Sequence, residues 1–120
     1  EPRLKALVGN CCLPTYKGIH DNQLLHCFPN FVPGVFPHGD TPDIAALIAP
    51  RALHMNFGET DGGSPIDEVR RGVEVIARAY QSQHAEKNFS HYIELGSGHV
   101  LSDRMWELTR DFFARHLKDA

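Results

Sequence analysis

The chain has 120 residues, of which 42% are hydrophobic and 22% charged, and its formal net charge is −3. That length suits one domain with a real core, and the charge lacks the clustered basic surface of a nucleic-acid binder. No apolar run approaches the roughly 18 residues that a membrane span needs, so neither nucleic acid nor membrane is an expected partner.

Leu4-Lys5-Ala6-Leu7-Val8, closed by Gly9-Asn10, reads as a buried strand. From Cys11 to Asp40 prolines and glycines break every periodicity, with one helical turn expected near Asn22–His26. A connection that long in a compact domain is usually functional, and its aromatic content argues against disorder. Thr41 is expected to cap a short helix over Ile44–Ile48, with Pro42 in its first turn and Pro50 as its stop.

Ala52–Phe57 reads as a second strand ending at Gly58. Ser64-Pro65-Ile66-Asp67 reads as a helix start with Ser64 as cap, followed by an apolar stripe of Ile66, Val69, Val73, Ile76 and Tyr80. Phe89, His91, Ile93 and Leu95 alternate with Ser90, Tyr92 and Glu94, the pattern of a third strand with two unlike faces. After a turn over Gly96–Ser102, Met105, Thr109, Phe112 and His116 line a last helix, broadened by Trp106 and Phe113, with Asp103 as its expected cap. The order predicts an α/β fold of about three parallel strands alternating with helices, joined by right-handed crossovers. The first strand needs a neighbour on its other edge, so the chain reads as the C-terminal part of one larger domain. A start at Glu1 rather than methionine agrees with a fragment or a processed product.

Ligand-facing residues of a parallel sheet gather at the carboxyl ends of its strands. Gly58-Glu59-Thr60-Asp61 and Gly96-Ser97-Gly98-His99 stand at two such ends. An acid followed by a histidine at strand-to-helix turns is the second half of the Ser…Asp…His order of a nucleophilic triad. Asp61 is then the catalytic acid that orients the imidazole, and His99 the base that takes a proton from the nucleophile. Taken singly, Asp61 also fits a turn former and His99 a solvated loop residue; their joint placement favours the catalytic pair. Glu59 is a rival acid, and Asp103 a second one. Gly96 and Gly98 are expected to shape the histidine turn, and Gly62-Gly63 a tight exit from the acid turn.

The block Asp43–Leu53 leading to Phe57-Gly58-Glu59-Thr60-Asp61 resembles one found in α/β-hydrolases, nearest to acetyl xylan esterase-like and dienelactone hydrolase-like bacterial enzymes. Glu1–Val8 is similar to the strand that follows their nucleophile helix, and His26-Cys27-Phe28-Pro29-Asn30-Phe31-Val32-Pro33-Gly34 to one of their loops; Tyr80 and Gly98-His99 match later landmarks. Ala52 stands where that group usually has proline. The resemblance implies a serine hydrolase of carboxylic esters, with acetylated carbohydrate as a substrate class, no cofactor, Asp61 as acid and His99 as base. The missing N-terminal half, or another chain, would lie along the first strand's edge. A prolyl oligopeptidase-type peptidase segment or a catalytically inert paralogue are the alternatives.

No Gly-x-Ser-x-Gly elbow occurs in the chain. Gly9-Asn10-Cys11 begins like a cysteine elbow, but Leu13 and Pro14 follow where a helix is required, so Cys11 and Cys12 read as strand-end cysteines. Ser64 and Ser97 fail the pattern as well. Three cysteines make no disulfide framework and lean towards a reducing, cytoplasmic compartment, with localisation left open. His20, His26, Cys27 and His38 match no compact zinc spacing and read as loop residues on a pocket wall. Lys5, Arg51, Arg70 and Arg71 read as surface charge, Arg51 also as a brace below the site.

Overall fold

The computed structural model describes residues 1–27 and 31–117, so Phe28, Pro29 and Asn30 of the loop block lie outside the described residues. Its strands are β1 (Ala6–Asn10), β2 (Ala52–Gly58) and β3 (Phe89–Glu94), and its helices α1 (Tyr16–Asp21), α2 (Thr41–Ala46), α3 (Ile66–Ser82) and α4 (Asp103–Leu117). The strands pair in parallel in the order β1-β2-β3, Ala6 opposite Ala52 and Gly58 opposite Glu94. Among the described residues, no helix is long and apolar enough to cross a membrane.

All seven residues of β2 are buried, as a central strand covered on both faces requires. Successive side chains of a strand point to opposite faces, and here the two faces differ in chemistry. Leu53, Met55 and Phe57 join Val69, Val73, Ile76 and Tyr80 of α3 in the apolar core. His54 and Asn56 face α4, where Asn56 Nδ2 donates to Thr109 Oγ1 at 3.2 Å and the His54 and Phe112 rings lie 5.5 Å apart. The result is a helix–sheet–helix sandwich whose second layer carries a hydrogen-bonded polar seam. The seam continues to both outer strands, from Asn56 Nδ2 to Asn10 Oδ1 at 2.8 Å and from His54 Nδ1 to Ser90 Oγ at 2.8 Å.

Several boundaries depart from expectation. β1 runs on through Gly9 and Asn10, and Leu4 is exposed before it. The first helix is Tyr16–Asp21 rather than a turn near Asn22–His26. Thr15 Oγ1 caps it by accepting from Gly18 N at 2.8 Å, and the Asp40 carboxylate accepts from Tyr16 N at 2.8 Å and Lys17 N at 3.3 Å. α2 is capped by Asp40, not Thr41, in a reciprocal capping box with Asp43. Ser64 does not cap α3: its N–H belongs to the turn closed on Asp61 O at 3.2 Å, and Pro65 O accepts from Glu68 N and Val69 N. Ser102, not Asp103, caps α4, its hydroxyl accepting from Met105 N at 3.1 Å. Leu95 lies beyond β3 and Trp106 on the outer face of α4, both exposed.

Candidate active site

The turns that follow β2 and β3 are laced together by hydrogen bonds. Glu59 N donates to Glu94 O at 3.0 Å, carrying the parallel ladder one residue past the strand ends. Thr60 then donates twice to one acceptor, Ser97 O, from its N–H at 2.8 Å and its hydroxyl at 2.9 Å. Glu59 Oε2 accepts from Gly96 N at 3.0 Å. The rival acid is therefore spent on the backbone of the histidine turn and does not meet His99. Asp103 sits in the first turn of α4 and is likewise not the partner.

The lacing delivers Asp61 and His99 to one another. Their Oδ2 and Nδ1 atoms lie 2.8 Å apart across 38 residues of sequence. The other carboxylate oxygen, Oδ1, accepts from Gly63 N at 2.8 Å, so the acid is anchored by its own turn. A carboxylate only accepts, hence Nδ1 carries the proton, and in the neutral ring Nε2 presents a lone pair. The Asp61 side chain is 2% exposed and that of His99 71% exposed. A sealed acid and an open base are what proton transfer to or from a bound molecule requires.

Glycine matters at two places. Gly96 takes φ +68°, which starts the histidine turn. Gly58 lies against the backbone of Ser97 and Gly98, whose carbonyl oxygens would be 2.5 and 2.1 Å from an added Cβ. Sequence reasoning missed this close approach, and missed the clamp at Thr60, because a glycine after a strand is an ordinary terminator. Gly98 itself has open space around it and needs no special conformation.

Cys11 also reaches the site. It follows β1 with φ +50°, its N–H bonded to Asn56 O at 2.8 Å, and its thiol lies 3.6 Å from Val100 O. Its Sγ falls within 4.8 Å of ligand atoms of both Asp61 and His99. Burial, and then the Asp61 charge, push the thiol above its ordinary pKa. The thiolate is the nucleophilic form, so this environment works against Cys11 as attacking group.

His26 donates from Nε2 to Gly63 O at 2.6 Å, which sets the 22–27 segment beside the acid turn. His20 instead pairs with Asp21 at 3.0 Å, and His38 ends a short 3-10 turn over Phe36–His38. Among the described residues, His20, His26, Cys27 and His38 do not converge on a metal-sized site. Arg51 braces the opposite end of β2 from Asp61, donating from Nη1 to Glu1 O at 3.1 Å. Arg70 pairs with exposed Asp67 on the outside of α3, whereas exposed Arg71 reaches the buried carboxylate of Glu68.

No protein-family model matches the chain, and no curated protein does. Solved structures do match, two esterases among them. One is a carbohydrate esterase family 15 glucuronoyl esterase from Caldicellulosiruptor kristjansonii, 17% identical, with a TM-score of 0.60 over 68% of this chain. The other is methylesterase BT1017, 21% identical, with a TM-score of 0.55 over 62% of this chain. The matched part spans 21% and 16% of those proteins' own lengths. At such identities the likeness is one of fold: three parallel strands alternating with helices, the arrangement of part of an α/β-hydrolase.

Proposed function

We propose that this chain is the C-terminal portion of a single α/β-hydrolase domain that cleaves carboxylic esters, with acetylated carbohydrate as the substrate class. The observation that carries the reading is the 2.8 Å hydrogen bond between Asp61 and His99 at the ends of neighbouring parallel strands. Both similar structures are esterases by name, a glucuronoyl esterase and a methylesterase, which favours an ester over a peptide.

In this mechanism the nucleophile is a serine on a strand-to-helix turn outside these residues. Asp61 holds the His99 ring with Nε2 towards that serine. As the serine oxygen attacks the acyl carbon, Nε2 takes its proton, and the Asp61 charge stabilises the imidazolium. The same proton then goes to the departing alcohol oxygen, leaving an acyl-serine. Water repeats the cycle, giving its proton to Nε2 and releasing the acid. No step requires a metal or organic cofactor. The segment beside Gly63 that contains His26 forms part of the substrate wall.

Fluorophosphonate labelling and hydrolysis of p-nitrophenyl acetate test the reading. A polypeptide carrying this chain behind a Gly-x-Ser-x-Gly turn should show both, and His99→Ala should lower kcat by about 10,000-fold or more. The 120-residue chain alone should show neither. Failure of the longer polypeptide to turn over any ester would sink the proposal. Hydrolysis by the short chain that disappears in Cys11→Ser would replace the serine with a thiol.

A further inference from the structure

The three strand ends bring one soft and two harder ligand groups close together. Cys11 follows β1, Asp61 follows β2, and His99 follows β3, with one ligand atom of each within 4.8 Å of the others. No other cluster of three such groups occurs among the described residues. We infer that Cys11, Asp61 and His99 form a binding site for a soft divalent cation of the Zn2+ or Cd2+ kind.

Geometry and chemistry both point that way. Zinc holds sulfur at about 2.3 Å and nitrogen or oxygen at about 2.0–2.2 Å, which puts tetrahedral ligands roughly 3.5 Å apart. The cluster therefore closes on a cation by a shift of about 1 Å or less from separations that reach at most 4.8 Å. Cys11 and Asp61 are already buried, so little further desolvation is needed. His99 is exposed and stands on the turn opened by Gly96, which supplies both the adjustment and the entry path. A thiolate and a carboxylate neutralise a dication, and the open side of His99 leaves the fourth position to water.

The Cys11 thiol loses its proton to solvent, and the cation takes the sulfur lone pair. The proton on His99 Nδ1 is displaced and the ring takes one up at Nε2, so the ring stays neutral. One proton is released overall, and binding tightens about tenfold per pH unit while the thiol remains protonated in the free protein. A bound cation occupies Nδ1 and the Asp61 carboxylate together, so it would also silence the proton transfer proposed above. That consequence rests on the esterase reading, whereas binding itself does not.

The test is Cd2+ titration of the protein with Cys12 and Cys27 replaced by serine, followed by the ultraviolet sulfur-to-cadmium charge-transfer band. One equivalent should bind with the band present. Cys11→Ser should abolish the band, and His99→Ala should weaken binding at least tenfold while far-UV circular dichroism stays unchanged. His99 is exposed, so its variant keeps the test decisive if Cys11→Ser fails to fold. No binding, an undiminished affinity in Cys11→Ser, or a titration indifferent to His99→Ala would each overturn the site. All three readouts stand whether or not any ester is hydrolysed.

Discussion

Gly58 and Gly98 approach so closely that a methyl group on Gly58 would stand 2.1 Å from the Gly98 carbonyl oxygen. The obstacle is backbone, so no rotamer change relieves it. Gly58→Ala is expected to push the histidine turn off the strand end, at about 1–3 kcal/mol from overpacking. A lower urea midpoint, together with loss of the low-field Nδ1–H proton resonance of His99, checks this. A variant that keeps both would show that the turn is not seated on Gly58.

Asp61→Asn preserves shape and tests charge. The amide oxygen still accepts from Gly63 N, so the unfolding free energy should change little. The amide nitrogen then presents a donor to Nδ1, and the tautomer with Nε2 free is no longer enforced. In the complete domain kcat for an acetyl ester should fall by about 10,000-fold. A loss of less than tenfold would transfer the role of the acid elsewhere.

The cysteines should react in a set order. Cys11 is buried and its thiol is pushed above the ordinary value, whereas Cys27 is exposed. Alkylation by iodoacetamide in the native state, followed by mass spectrometry, should modify Cys27 before Cys11. Early modification of Cys11 would contradict a protonated, enclosed thiol at that position.

His54 gives the fold a dependence on acid. Burial holds its imidazole below the ordinary value of 6.5, between Asn56, Ser90 and the Phe112 ring. On acidification the unfolded chain therefore takes up this proton before the folded one does. The contribution of a neutral His54 is complete above about 6.5 and declines as the pH falls from there to the lower folded-state value. Urea unfolding of the wild type and of His54→Gln across that window should give a difference that slopes with pH; a flat difference would remove His54 as the cause.

Much of this architecture was legible in the residues. β2 is a short apolar run closed by glycine, and α3 has a stripe at helical spacing, so local pattern and tertiary role agree. Placement of Asp61 and His99 together was legible for the same reason, because both follow strands of one parallel sheet. α1 was not legible: part of its N-terminal support comes from Asp40, 24 residues away from Tyr16. Ser64 and Asp103 misled because a turn closed on Asp61 and a cap at Ser102 took the places expected for them. The arrival of Cys11 beside Asp61 depends on the register of two strands, which no single stretch of sequence states. The expected roles of the outer charges were right for Arg70 and Arg71, while Arg51 serves the far end of the sheet.

The unequal exposure of Asp61 and His99 makes any chemical rescue one-sided. Removing the imidazole in His99→Ala opens a space that water already reaches, so added imidazole should enter it and restore part of the ester hydrolysis in the complete domain. Removing the carboxylate in Asp61→Ala leaves a closed hollow behind the histidine, and added formate should restore nothing. The site would thus accept a replacement for its base from the surrounding solution and refuse one for its acid.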